Sequence, residues 1–351
     1  MNHQYYNVLG VMSGTSLDGI DIAHVTLVCK ETWSFQIHIA ETISYTAEMR
    51  NKLGEAMTYD KAGIIRFNKE YTAYLAVQIN TFIEKNEINN LLAVCSHGHT
   101  IFHQPQIKYT LQLGNLPQLA QLINQRVICD FRVQDLEFNG QGAPLVPIGD
   151  RLLFGTYDYC LNLGGFANMS FEENSQRLAY DICPVNVVLN HYSLKLGKEY
   201  DAGGAFARAG AVQASLLEQL NSLDFYHQNA PKSLGMEWVN GNIFHILDQI
   251  ENTYDIIATF TEHAALQIAK QLKENTTLLV TGGGAFNTYL LESLEKHTSL
   301  KIIIPNSIIV ENKEALIFAL LGVLRLRNQN NCLASVTGAD YDHSSGLIYL
   351  P

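Results

Sequence analysis

The sequence predicts an α/β protein of two domains, each with a mixed sheet, and a ligand held between them. Three observations carry this. Each half opens with three strand-like runs folded around a glycine turn. Each half then alternates helical and strand-like segments. The chain has 351 residues, more than one core usually serves.

In the first half the strands are expected over residues 5–11, 22–28 and 34–40. A helix over 62–84 follows, with Ile64, Phe67, Tyr71, Tyr74 and Phe82 on a helical stripe that Gln78 interrupts. A short strand over 91–95, a loop, a strand over 109–113, a helix after Asn115 and a strand over 127–130 complete it. The second half repeats the order of elements without repeating the sequence. "YDYCLNLGGFANMSF" reads as two strands around a glycine turn and "RLAYDI" as a third. Helices are expected over 185–196, 206–220 and 256–272, then the strand "TLLVTG", a helix from Thr288, the strand "KIIIP" and an apolar helix over 314–326. The domains are expected as 1–135 and 136–351, parted in the Gly- and Pro-rich stretch 131–150, with the C-terminal segment packing back on the first.

Composition narrows the function. Hydrophobic residues make up 47% and charged residues 16%, a composition that folds. The net charge of −11 argues against nucleic acid as a partner. No apolar run reaches the ~18 residues that span a membrane, and "MNHQYYNV" is not a signal peptide. The six cysteines are scattered without CxxC spacing, which reads as buried free thiols in a reducing cytoplasm.

The chemistry sits in the turns. "GVMSGTSLDGID" (10–21) joins two strands through Gly14, Thr15, Ser16 and Gly19, so backbone N–H groups and hydroxyls can form an anion-binding concavity. Asp18 and Asp21 beside it would repel a phosphate unless Mg²⁺ bridged them. Taken alone, the stretch reads first as an ordinary polar hairpin, since Gly, Ser, Thr and Asp all favour turns. "NLGGFAN" (162–168) is a second glycine hairpin, and "TGGGAFN" (281–287) lies between a strand and a helix, where backbone can approach a nucleotide closely. None is a Walker A or GxGxxG motif. Three such turns in a duplicated architecture suggest a nucleotide clamped between domains.

The chain resembles the anhydro-N-acetylmuramic acid kinases of the actin-like, sugar-kinase ATPase superfamily. "GVMSGTSLDGID" carries the family's signature, joined by "SHGHTIFHQP" (96–105), "TLQLGN" (110–115), "DFRVQD" (130–135), "GQGAPLVP" (140–147), "NLGGFANMS" (162–170), "YDAGG" (200–204), "PKSLG" (231–235), "TGGGAFN" (281–287) and "EALIFALLG" (314–322). The resemblance implies two ribonuclease H-like domains with a cleft between them. It implies ATP and Mg²⁺ as cofactors, and water opening 1,6-anhydro-N-acetylmuramic acid while O6 takes the γ-phosphoryl group. It also implies a cytoplasmic enzyme of peptidoglycan recycling, acting as a homodimer on a small anhydro amino sugar.

Residue by residue, "DICPVN" matches the family's Asp-Thr-Gly-Pro-Gly-Asn, which makes Asp181 the base that deprotonates the water. Gly14, Thr15, Ser16, Leu17, Asp18, Gly19, Ile20 and Asp21 are expected at the β- and γ-phosphates, with Asp18 orienting the metal. Gly164 and Gly165 are expected to face the phosphates, and Gly283 and Gly284 to lie under the adenosine. His97, His99, Asn186 and Glu314 are the expected sugar-site residues. Ile182, Cys183 and Val185 replace the family's Thr, Gly and Gly, His99 stands for Gln, and Met236 for Arg. These departures keep a related anhydrosugar such as levoglucosan open as substrate. Cys183 reads as a reactive thiol or a small packing residue.

A rival from another class is a zinc hydrolase. His97, His99 and His103 form H-x-H-x3-H, and residues i and i+2 of a strand share a face. The plain alternative is polar loop histidines. A non-catalytic nucleotide-dependent scaffold is the third class, against which Asp181 speaks.

Overall fold

The computed structural model describes residues 4–14 and 16–351. The chain begins with an antiparallel meander, β1 (Tyr5–Ser13), β2 (Gly19–Cys29) and β3 (Trp33–Ser44). Helices α1 (Ala47–Glu55) and α2 (Lys61–Lys85) follow, then β4 (Ala93–Gln104), β5 (Tyr109–Leu113), α3 (Gln118–Ile123), β6 (Val127–Cys129), α4 (Val133–Glu137) and α5 (Pro147–Phe154). Asp60 caps α2 by accepting the Gly63 N–H at 2.6 Å. The buried stripe of α2 is Phe67, Tyr71, Leu75, Ile79 and Phe82, flanked by the half-buried Tyr74 and Gln78. It packs with Leu9, Val11, Ile20 and Ile22 of the sheet, each such side chain contributing roughly 1.5–3 kcal/mol.

A second meander, β7 (Tyr159–Leu163), β8 (Phe166–Glu173) and β9 (Gln176–Pro184), opens the next stretch. It continues through α6 (Asn186–Lys195), α7 (Ala205–Ala209), α8 (Ala214–Asn221), α9 (Met236–Asn242), α10 (Phe244–Leu247), α11 (Thr253–Ala269), β10 (Thr277–Thr281), α12 (Thr288–Lys296) and β11 (Lys301–Ile303). Helix α13 (Ser307–Leu326) leaves helical geometry at Asn312 (φ −117°), and α14 (Ala334–Thr337) and β12 (Leu347–Tyr349) end the chain.

Two compact units result: residues 1–153 with 312–351, and residues 154–311. The first sheet has the order β12-β6-β4-β1-β2-β3, with β5 on β4, and the second β11-β10-β7-β8-β9. In both, an antiparallel meander pairs through its first strand with a parallel strand, β1 with β4 and β7 with β10. A further parallel strand lies outside that one, β6 or β11. The order 3-2-1-4-5 within each unit is the ribonuclease H-like arrangement, built twice. The expected division after residue 135 and the observed one after 153 differ because α5 belongs with the first unit. Its Gly149 lies so close to Ile317 of α13 that a methyl group there would sit 2.5 Å from the isoleucine side chain.

Three local expectations are corrected. The loop expected after residue 95 is strand: β4 runs on to Gln104 because β5 turns back through residues 105–107 and pairs with it. The single helix expected over 206–220 is two, α7 and α8. Gly210 parts them where any Cβ would lie 2.1 Å from the Tyr254 carbonyl oxygen. The apolar helix expected over 314–326 begins earlier, at Ser307.

Candidate active site

In the first unit, β1 and β2 pair down to Ser13 and Ile20, so the turn between them is residues 14–19. Leu17 takes a left-handed conformation (φ 61°) and its N–H reaches the Gly14 carbonyl at 3.3 Å. Gly14 is half-buried, and Ser16 and Asp18 are exposed, free to meet a ligand. Thr15, expected at the phosphates, lies outside the described residues. Gly19 and Ile20 are buried: a Cβ at Gly19 would sit 2.4 Å from the Ile43 carbonyl oxygen, and the Ile20 side chain is in the core. Only their backbone is left for a ligand. Asp21 accepts the Thr42 hydroxyl at 2.6 Å.

Behind this turn is a polar network that the sequence does not announce. Ser13 Oγ lies 2.5 Å from Tyr45 Oη and 2.7 Å from His99 Nδ1, and Tyr45 Oη lies 2.8 Å from Tyr71 Oη. His99 is 2% exposed, and burial pulls its pKa down to about 4. His97 is also buried. Its Nδ1–H donates to the Gly98 carbonyl at 2.8 Å, and its Nε2 accepts from Arg132 Nε at 3.0 Å. Burial, then the guanidinium, holds it well below the usual imidazole range, so it is neutral. With both ring nitrogens engaged, His97 has none left for a sugar. The Nε2 bond ties it to Arg132, a residue of "DFRVQD" that the sequence alone left without a role.

This also answers the zinc hydrolase reading. Gly98 (φ 75°) breaks the strand alternation between the two histidines, and each has its own protein partner. His103 is exposed beside Thr110. Among the described residues these three do not gather as metal ligands.

Glu314 in α13 is half-buried. Desolvation raises its carboxyl above the usual range and Asp21 and Asp150 add to this, while Lys313 and Arg132 oppose it. Lys313 itself is committed to Asp150 at 3.1 Å, both side chains buried.

In the second unit Asp181 lies on β9. Its backbone N–H donates to Lys232 O at 3.0 Å and its Oδ2 accepts the Leu234 N–H at 2.8 Å. Oδ1 has no hydrogen bond among the described residues. Desolvation raises the carboxyl above the ordinary aspartate range, against the Leu234 bond. A partly desolvated carboxylate fixed through one oxygen, with the other free, has the makings of a general base. The segment "PKSLG" thus supplies the peptide that orients Asp181.

The two glycine turns of this unit touch. Gly282 (φ 81°) and Gly284 lie against the β7–β8 turn, where a Cβ would sit 2.9 Å from Leu163 O and 2.7 Å from Leu163 Cβ respectively. Asn186, the first residue of α6, donates its Nδ2–H to Leu163 O at 3.1 Å. The carbonyls of Gly165 and Gly164 accept the N–H groups of Val185, Val187 and Asn186. Gly164 and Gly165 are half-buried and Gly283 is exposed, whereas Gly284 is buried in the contact. Ile182, Cys183 and Val185 are fully buried in the apolar core. Burial pushes the Cys183 thiol up, so this cysteine packs and is not activated.

The family model for anhydro-N-acetylmuramic acid kinase matches residues 6–351. Relatives of that name from Saccharophagus degradans (33% identical, 98% of each chain covered) and Mannheimia succiniciproducens (32%, 99% of this chain and 100% of that one) align end to end. The relative from Haemophilus influenzae is 32% identical over 99% of this chain and 98% of that one. A solved structure, the activator of the 2-hydroxyisocaproyl-CoA dehydratase from Clostridium difficile with bound ADPNP, aligns with TM-score 0.43 and 14% identity over 90% of this chain and 93% of that one. At that distance it says nothing about the site. These matches make the chain a carbohydrate kinase. The chain belongs to the anhydro-N-acetylmuramic acid kinase family, and use of ATP follows from that membership. No helix among the described residues is long and apolar enough to cross a membrane.

Proposed function

We propose that this chain converts 1,6-anhydro-N-acetylmuramic acid and ATP to N-acetylmuramic acid 6-phosphate and ADP, a step in the recycling of cell-wall peptidoglycan. Water attacks C1, the C1–O6 bond breaks, and O6 takes the γ-phosphoryl group. Asp181 accepts the water's proton. The observation that carries the reading is the state of that carboxylate: oriented by the Leu234 N–H, free at Oδ1, and raised by desolvation toward the range in which a base works. Family membership along almost the whole chain supports the substrate.

The residues divide the remaining work. Gly14, Ser16, Leu17 and Asp18, with the backbone of Gly19 and Ile20, hold the β- and γ-phosphates. Gly164 and Gly165 offer backbone to the phosphates, and Gly283 and Gly284 to the adenosine. Asn186 and Glu314 serve the sugar site, while His97 and His99 act behind it by holding Arg132 and Ser13. Asp18 and Asp21 fit a magnesium ion. Both offer oxygen, the donor magnesium takes, which suits an ion arriving with phosphates and its own waters. Bound there, Mg²⁺ would neutralise charge on the phosphates. The scattered free cysteines, five of the six buried, suit a reducing cytoplasm. The active species is taken to be a homodimer.

The test is ADP release with ATP, Mg²⁺ and 1,6-anhydro-N-acetylmuramic acid. Levoglucosan and N-acetylmuramic acid are run beside it, with Asp181→Asn as control. Turnover of the anhydro-muramic sugar, lost in the variant, is expected. Preference for levoglucosan, or ATP binding with no sugar turned over, would overturn the assignment.

A further inference from the structure

A trio of buried side chains in the first unit has no part in the reaction above. Cys332 and His343 face each other across an isolated antiparallel bridge, Cys332 N–H donating to His343 O at 3.0 Å and His343 N–H to Cys332 O at 3.2 Å. Residues paired in this way send their side chains to the same face. Asn331 braces the hairpin through Leu321 O and Ser345 O, and its Oδ1 accepts the Ser345 N–H. Asp135 of α4 meets that face. The Cys332 sulfur, a His343 ring nitrogen and an Asp135 oxygen all lie within 4.8 Å of one another.

Two details point to a ligand. His343 Nε2 is buried without a hydrogen-bond partner, on a side chain only 4% exposed. It is aimed at Asp135 Oδ1 from 3.5 Å, too long for a hydrogen bond. With metal–ligand distances near 2.0–2.3 Å, the edge of a tetrahedral zinc site is roughly 3.3–3.7 Å. The gap that fails as a hydrogen bond therefore suits two ligands of one ion. Charge agrees: a dication balances one carboxylate and one thiolate, leaving the imidazole neutral. Asp135 keeps the Gly142 N–H (2.6 Å) and Thr337 hydroxyl (2.7 Å) bonds that orient its oxygens.

We propose that Asp135, Cys332 and His343 form a binding site for a thiophilic divalent metal, zinc foremost, with water as the fourth ligand. On binding, the Cys332 thiol gives its proton to solvent and a metal–sulfur bond forms, with no change of oxidation state. None of the three is assigned to the kinase reaction, so the site is structural: it ties the C-terminal hairpin to α4.

The experiment titrates chelator-stripped full-length protein with Co²⁺ alone. Expected are a thiolate-to-cobalt charge-transfer band in the near ultraviolet and tetrahedral d–d bands in the visible, saturating at one equivalent and displaced by Zn²⁺. Cys332→Ser abolishes the ultraviolet band, and His343→Gln weakens cobalt affinity by roughly tenfold or more. Zinc raises the melting temperature of the parent by a few degrees. The parent's spectrum needs no variant to fold: a parent without the ultraviolet band overturns the site, as does a band that survives in folded Cys332→Ser.

Discussion

His99 Nδ1 lies 2.7 Å from Ser13 Oγ, and the same two residues are paired in the parallel register of β1 and β4. Backbone pairing and side-chain bond thus fix the residue on which the turn at 14–19 is hinged, since Gly14 follows directly. The imidazole stays neutral at working pH because burial holds its pKa to about 4.

A glutamine at 99 can keep a hydrogen bond to Ser13, whereas alanine cannot. His99→Gln is expected to leave turnover within a few-fold of the parent. His99→Ala leaves Ser13 short of a partner and is expected to raise the KM for ATP roughly tenfold, with about 1–3 kcal/mol of lost stability. Steady-state kinetics and urea unfolding measure the two. Equal behaviour of both variants would show that the bond does not position the turn.

Asp181→Asn removes the base without removing the Leu234 contact, because an amide oxygen still accepts that N–H. Turnover is expected to fall by roughly 10²–10⁴-fold with ATP affinity little changed. In the parent, kcat/KM should decline as pH drops through the raised pKa of this carboxyl, above the ordinary aspartate range, because only the ionised form accepts a proton. An acid limb at ordinary carboxylate pH would point to a different base.

Asp130, in a left-handed conformation (φ 61°), has its carboxyl pushed up to about 6 by burial and then by Glu137. The folded protein therefore binds a proton that the unfolded chain releases near 3.8. Stability contributed by this proton is present below that lower pKa and is lost as pH rises toward about 6. Asp130→Asn keeps the conformation and removes the penalty. It is expected to be more stable than the parent by about 1–3 kcal/mol at pH 7.5, the gap closing below pH ~4. Chemical denaturation at both pH values tests this, and a pH-independent gap would refute it.

Gly10 and Gly241 predict opposite signs for the same change. A methyl group at Gly10 would lie 1.8 Å from the Ala315 carbonyl oxygen of α13, so Gly10→Ala is expected to cost about 3 kcal/mol or more. Gly241, within α9, has nothing within 4 Å of that position, so alanine there is expected to stabilise by about 0.5–1 kcal/mol. Thermal melts of the two variants should move in opposite directions.

Much of this was legible in the sequence because period-two runs and glycine turns are local signals. The two meanders and α2 follow from them directly. So does the turn at 14–19, since Gly, Ser and Asp favour turns whatever lies around them. The network behind the turn was not legible. It joins Ser13 of β1, Tyr45 of the loop after β3, Tyr71 of α2 and His99 of β4, and no local pattern marks a tyrosine hydroxyl that will be buried. The departures at Ile182, Cys183 and Val185 read as changes beside the base, yet strand geometry sends them into the core, where bulk is packing. β4 was cut short because His97-Gly98-His99 breaks the alternation that marks a strand, and only the distant β5 restores it. Glycines such as Gly10 and Gly149 carry no signal of their own; the helix they accommodate arrives some 300 and 170 residues later.

The return of residues 312–351 to the first unit has a consequence for biosynthesis. The unit 154–311 is a single uninterrupted stretch, whereas the other unit lacks residues 312–326 of α13 and the strand Leu347–Tyr349 until after residue 311 has been made. On the ribosome the order of completion is therefore inverted: the part made second can finish first. The part made first must wait with the Gly10 face of its sheet uncovered, which makes the nascent amino-terminal segment the natural client of a chaperone.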